Sequence, residues 1–115
     1  MNIIEPEHFV SDDRRTLLAA AGDVMAYSVV FEPGQYAGGH LHCVNSERVY
    51  VVVGPVAYQT EGEEGELISE FLEAGTGVSI PPYTPHKFYA PEDAHAVLLV
   101  VSDRSGEDDT KQVVM

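Results

Sequence analysis

Tryptophan is missing from this chain of 115 residues, cysteine occurs once, and basic side chains number 6 against 19 acidic ones. A lone cysteine, Cys43, excludes an internal disulfide and suits a reducing compartment. The formal net charge of −13 repels phosphate backbones and anionic headgroups alike, so neither nucleic acid nor a membrane surface is an expected partner. Solubility, or adaptation to a salty cytoplasm, is the plain reading of that charge. Long apolar runs are lacking too. The longest, Ala96 to Val101, falls far short of the roughly 20 residues that span a bilayer. The opening residues Met1 to Glu7 have neither a basic start nor an apolar stretch, so no signal peptide is expected and the expected location is cytoplasmic.

What is there suffices for a core. A hydrophobic fraction of 44% with 22% charged residues is the composition of a soluble globular protein, and the length fits one domain. Residues 1–101 are read as that domain. Residues 102–115, beginning SDRSGEDDTK, are polar and acidic without a period, and are read as an exposed C-terminal extension.

Short β-rich runs broken by glycine and proline fill the domain: Val24 to Phe31, Val49 to Val53, Val56 to Thr60, Leu67 to Leu72, Val78 to Ile80, His86 to Tyr89 and Ala96 to Val101. Many short strands at regular turn signals indicate an all-β sandwich or barrel. Asp12 to Ala21 has helix-forming composition with a Ser11 cap and a Gly22 stop. Thr16 to Ala20 can equally pair with Val24 to Phe31 across Gly22-Asp23, and this hairpin is the favoured reading. The acidic stretch Glu61 to Glu66 reads as a solvated hairpin tip, since it lacks the spacing of a calcium loop.

Two clusters carry chemistry. In the first, His40 and His42 stand two apart, so on one strand both imidazoles face one point. Cys43 to Ser46 holds turn formers, and Glu47 opens the next antiparallel strand opposite the histidines. Alternation from Glu47 puts Val49, Val51 and Val53 inward and Tyr50 and Val52 outward. In the second cluster Val78 to Ile80 leads through Pro81 to Pro85 into His86, with Phe88 and Ala90 on the inward face of His86. Three imidazoles and a carboxylate suit a divalent transition metal (Fe, Mn, Ni, Zn, Cu or Co) rather than calcium or magnesium, which favour oxygen shells. Four protein ligands leave room on the ion for a small-molecule substrate.

These two stretches resemble the paired motifs of the cupin superfamily. Gly34, His40, His42, Glu47 and Gly54 occupy every fixed position of the first. Gly75, Pro81 and His86 fit the second, with Tyr83 where the pattern has glycine and Ala90 where it has asparagine. The resemblance implies a jelly-roll β-barrel, one metal in its mouth held by His40, His42, Glu47 and His86, and a homodimer. The outward apolar residues with the run Val97 to Val101 agree with a second layer or a dimer interface.

Candidate catalytic residues are Glu47, Tyr36 and Tyr83. Tyr36 shares the alternation of His40 if Gly38-Gly39 makes no bulge, and Tyr83 sits on the turn before His86. His8 and His95 lie outside both motifs and read as exposed histidines. Cys43 faces away from His42 and reads as a packed small residue. Three functions are compatible: a metal-dependent enzyme (dioxygenase, isomerase or cyclase) on an oxygen-rich substrate of sugar or polyketide type, a metal-independent sugar epimerase or ketoisomerase with histidine as base, and a non-enzymatic ligand-binding or sensing module.

Overall fold

The computed structural model describes residues 3–4, 15–42, 46–103 and 110–113, with side chains described for 15–37 and 46–103. Eleven strands follow in chain order: β1 Ile3–Ile4, β2 Arg15–Ala21, β3 Val24–Phe31, β4 Tyr36–His42, β5 Glu47–Val53, β6 Val56–Glu61, β7 Leu67–Leu72, β8 Gly77–Ile80, β9 His86–Tyr89, β10 Ala96–Ser102 and β11 Thr110–Val113. They form a six-stranded sheet in the order β1-β11-β4-β9-β6-β7 and a five-stranded sheet in the order β2-β3-β10-β5-β8, every pairing antiparallel. The two sheets make the jelly-roll barrel that the strand pattern implies. No helix among the described residues is long and apolar enough to cross a membrane.

β10 shows why these residues make strands. Its sequence AVLLVVS alternates buried and half-buried at every step. Ala96, Leu98 and Val100 point to the core, while Val97, Leu99 and Val101 stand on the outer face. The core between the sheets is built from such inward sets: Val29 and Phe31 of β3, Val49 and Val51 of β5, Val56 and Tyr58 of β6, Ile80 of β8 and Phe88 of β9. Tyr58 and Phe88 stack with ring centroids 4.9 Å apart, an offset arrangement the ring quadrupoles favour.

The hairpin reading of the first segment holds for the residues described. β2 pairs with β3 from Arg15↔Val29 to Ala21↔Val24. Gly22 turns it with a φ of 59°, glycine at the first central position as a type II′ turn requires. The acidic stretch also lies where expected, at the exposed tip between β6 and β7. Gly54, the last fixed glycine of the first motif, is required by close approach: a Cβ there would meet Val51 Cγ1 at 2.7 Å and the backbone of Ala74 and Leu72 just beyond 3 Å.

Two expectations are corrected, the first by an irregularity in pairing. Val53 does not continue the inward row of Val49 and Val51. The register between β5 and β10 shifts between Val97 and Leu98, so Val51 pairs with Leu98 and Val53 with Val97. One residue is thereby added, and Val53 turns outward, 45% exposed. The second correction concerns the boundary at residue 101. β10 runs to Ser102, and β11, inside the segment read as an extension, pairs with β4 and β1. Residues 104–109 lie outside the described residues.

Candidate metal and substrate site

Two strand starts at one end of the barrel supply the site. Glu47 is the first residue of β5 and His86 the first of β9. They face each other across the gap between the sheets: His86 Nε2 lies 3.4 Å from Glu47 Oε1, with the side chains 2% and 7% exposed. Directly beneath are apolar residues of the same rows, Val49 and Val51 below Glu47 and Phe88 below His86, all buried. The pair therefore caps an apolar floor.

Each member is held from behind. His86 Nδ1 is 2.8 Å from the Thr84 carbonyl oxygen, an acceptor only, so the ring carries its proton on Nδ1 and donates it there. Its Nε2 is thereby turned to the carboxylate of Glu47. The Thr84–Pro85 turn is tied to β6 by the Thr60 hydroxyl, which donates to the Pro85 carbonyl at 3.0 Å. Glu47 accepts a hydrogen bond at Oε2 from the Tyr27 hydroxyl, 2.9 Å away on β3. Burial, then the negative charge of Glu47 beside it, raises the Tyr27 phenol well above the ordinary tyrosine range, so it remains a donor. The preceding residue is fixed as well. Ser46 N–H donates to Asp103 Oδ1 at 3.0 Å, the Ser46 hydroxyl bonds to Asp103 Oδ2, and Asp103 N–H donates back to the Ser46 carbonyl at 3.2 Å. These bonds hold the Asp103 carboxyl below its usual range, the serine hydroxyl being the largest cause.

The donor set fits a metal cation. An imidazole nitrogen and a carboxylate oxygen converge with their other atoms already bonded to a carbonyl and a hydroxyl, which is the outer-shell pattern of metal-ligating histidine and carboxylate. His40 is the cross-strand partner of His86 in the pairing of β4 with β9, and His42 lies two residues on, paired with Thr110. Their side chains, and Cys43 entirely, lie outside the described residues. Among the described residues no group of three or more His, Cys, Asp or Glu gathers around one point; the structure brings together Glu47 and His86.

A family model for the cupin domain matches residues 27–102, two-thirds of the chain, taking in both strand starts and Tyr27. The chain belongs to the cupin family. No curated protein matches the sequence. Among solved structures, this cupin is similar to the capsular polysaccharide assembling protein CapF from Staphylococcus aureus, at 21% identity and a TM-score of 0.81 over 92% of this chain and 34% of that one. It is also similar to oxalate oxidase in complex with the substrate analogue glycolate, at 22% identity and a TM-score of 0.68 over 75% of this chain and 44% of the other. A third likeness is to a variant of Bacillus subtilis oxalate decarboxylase, at 20% identity and a TM-score of 0.64 over 75% of this chain and 22% of that protein. The cupin thus spans about a third of CapF and less than half of the oxalate enzymes, and at these identities the likeness is one of fold.

Of the two tyrosines expected at the pocket, Tyr36 stands elsewhere. Tyr36 pairs with Tyr89, and Ala37 with Phe88, before a register shift between Gly38 and His40 brings position 40 opposite His86. The glycine pair does make a bulge, and it breaks the alternation between Tyr36 and His40. Tyr36 lies on the outer face, 53% exposed, its ring 5.7 Å from Tyr89 and beneath the Lys87 ammonium at 4.3 Å. It does not line the barrel. Tyr83 is exposed on the turn between β8 and β9 and has a φ of 65°. It keeps the left-handed backbone of the glycine it replaces. His95 is exposed as expected and pairs with Glu32 at 2.7 Å; His8 lies outside the described residues.

The residue that sequence reading missed is Tyr27. Its parity with Val29 and Phe31 marks it as inward, but the order β3-β10-β5 that puts it within reach of Glu47 is a long-range fact.

Proposed function

We propose that this cupin is a metal-dependent enzyme that holds one divalent transition metal on His40, His42, Glu47 and His86 and acts on a small oxygen-rich molecule. One observation carries the reading: an imidazole nitrogen and a carboxylate oxygen, both buried, face each other at 3.4 Å, with the other ring nitrogen 2.8 Å from the Thr84 carbonyl oxygen. With each side chain bonded from behind to a hydroxyl or a carbonyl, the two facing atoms are placed to share one cation. Manganese is the first metal to test, because Mn(II) centres are named for the similar oxalate decarboxylase.

The chain's own residues define what enters. Val49, Val51, Phe88 and Ile80 close the barrel below the site and exclude water there. Glu47, Tyr27 and His86 set polar atoms only at the top of this floor, so a compact ligand with oxygen atoms at one end fits. When bound, the metal supplies Lewis acidity, or redox chemistry if it is iron, manganese or copper. Glycolate, bound by the similar oxalate oxidase, and 3-isopropenyl-tropolone, an inhibitor of CapF, both carry oxygens on adjacent carbons. We take that vicinal pair as the substrate class for this cupin: a small α-hydroxy or α-keto acid or ketone. We also propose a homodimer through the outer face of the five-stranded sheet, where Val30, Tyr50 and Val53 are exposed; light scattering reads it directly.

The test is elemental analysis of protein purified without added metal, beside His86→Ala, followed by turnover of a panel of such acids and ketones. About one metal per chain, lost in the variant, is the expected result. Turnover that survives chelation would assign the histidine-base epimerase instead, and tight ligand binding without turnover a binding module.

A further inference from the structure

We propose that Tyr27 is a positioning residue for the metal: its hydroxyl holds Glu47 so that Oε1, and not Oε2, is presented to the ion. The inference rests on the metal-dependent reading above.

The geometry separates the two carboxylate oxygens. Oε2 accepts the Tyr27 hydroxyl at 2.9 Å, and Oε1 is the oxygen turned to His86 Nε2 at 3.4 Å. A carboxylate free to rotate offers a cation either oxygen or both. One that is bonded at Oε2 offers a single, aimed donor. Tyr27 can do this because it does not belong to the strand of Glu47 or to a neighbour of it. β3 and β5 flank β10 on opposite sides, with Tyr27 paired to Val100, Val100 to Val49, and Glu47 to Ser102. The phenol therefore reaches over β10 from the side, anchored independently of the turn that precedes Glu47.

The ring is itself braced. The Arg15 guanidinium of β2 lies 5.2 Å from the Tyr27 ring centroid, a cation–π distance. Tyr27 is thus gripped on its face by Arg15 and at its tip by Glu47, with its buried neighbours Val29 and Phe31 farther along β3 fixing the strand. A core tyrosine that merely needed a hydrogen-bond partner would be served by any nearby carbonyl. This one is spent on a buried carboxylate at the site, which a structural role does not require.

The experiment is the affinity of the full chain for Mn(II) and Zn(II), read by competition with a chromophoric chelator, in wild type, Tyr27→Phe and Tyr58→Phe. Tyr58 is the control, a buried tyrosine whose ring stacks on Phe88 and which has no bond to Glu47 among those described. Loss of an outer-shell partner weakens metal binding about 10–100-fold, so Tyr27→Phe is expected to bind both ions that much more weakly. Tyr58→Phe should match wild type, and metal-free Tyr27→Phe should still unfold cooperatively but at a lower midpoint, because it loses a bond to a charged acceptor. The Co(II)-loaded variant should also show shifted d–d absorption bands, because a released carboxylate changes the ligand field. Equal affinities for Tyr27→Phe and wild type would overturn the proposal, as would equal weakening in both variants, which indicates general loosening. Failure of the wild type to bind any of these ions would instead remove the metal reading, and this inference with it.

Discussion

Replacing Glu47 by glutamine changes one charge and almost no volume, and its effect should reverse sign with metal. In the chelated protein Glu47 sits 6% exposed with Oε1 3.4 Å from His86 Nε2. Holding a carboxylate out of water costs several kcal/mol even after relaxation. A glutamine removes that cost. Its amide nitrogen can donate to His86 Nε2, and its carbonyl can still accept from Tyr27. The bond from Tyr27 weakens, since bonds to charged acceptors contribute about 1.5–3 kcal/mol and neutral ones about 1 kcal/mol. The balance leaves Glu47→Gln more stable than wild type by about 1–3 kcal/mol. For a domain of this length that is a rise of about 4–12 °C in the thermal midpoint. Saturating metal should invert the order. The wild type gains about 2.7 kcal/mol at a hundredfold excess over its Kd, whereas the variant has lost its only anionic ligand and gains little. Paired melts in chelator and in excess Mn(II) or Zn(II) at pH 8 measure both signs. A variant less stable than wild type in chelator would refute the reasoning, because it would mean that the charge of Glu47 is worth more to its partners, a protonated His86 among them, than its burial costs.

Three further substitutions test other parts of the structure. Tyr83→Gly should raise the thermal midpoint by about 2–4 °C, since relief of a left-handed backbone (about 1–2 kcal/mol) exceeds the entropy cost of glycine in the unfolded chain; a clear fall would show that the exposed ring holds a contact. Asp103→Asn should destabilise the protein at neutral pH and progressively less in acid. The folded-state pKa of Asp103 is lowered, so its contribution is present above the ordinary carboxyl range and disappears as pH falls through the folded value. Urea unfolding at pH 7 and pH 3 checks this, and an equal deficit at both pH values would refute it. Tyr36→Ser should leave metal affinity unchanged, because the ring lies outside the barrel; a tenfold loss in the chelator competition would return Tyr36 to the site.

How much of this was legible in the sequence depends on how far each inference had to reach. Alternation within a strand is local, so the inward rows of Val49 and Val51, of Phe88 and Ala90, and of β10 could be read directly. The hairpin at Gly22-Asp23 announces itself through its turn residues. The bulges do not. Gly38-Gly39 permits a bulge but does not demand one, and nothing in VYVVVG marks the residue added before Val53; each inverts the parity beyond it, which moved Tyr36 and Val53 to the outer face. Tyr27 was hidden for another reason, since its partner is set by the order of strands β3-β10-β5, and single-strand periodicity carries no information on neighbours. β11 was hidden because TKQV has too little apolar alternation to stand out from the polar tail before it.

The placement of polar groups within the barrel follows from what each end can tolerate. Between the sheets, Phe31, Val49, Val56, Ile80 and Leu98 are almost fully buried, and an unpaired polar atom among them would cost more than any single contact returns. The strand starts differ. At Glu47 and His86 the chain has just left turns whose backbone carbonyls and side chains are still available, so Thr84, Ser46 and Asp103 can serve the site without breaking a ladder. A carboxylate and an imidazole can therefore be buried there while each keeps a partner behind it. That is why Tyr27, reaching in from a different strand, matters more than its distance in sequence suggests: it satisfies one oxygen of Glu47 and leaves the other as the polar atom facing the site.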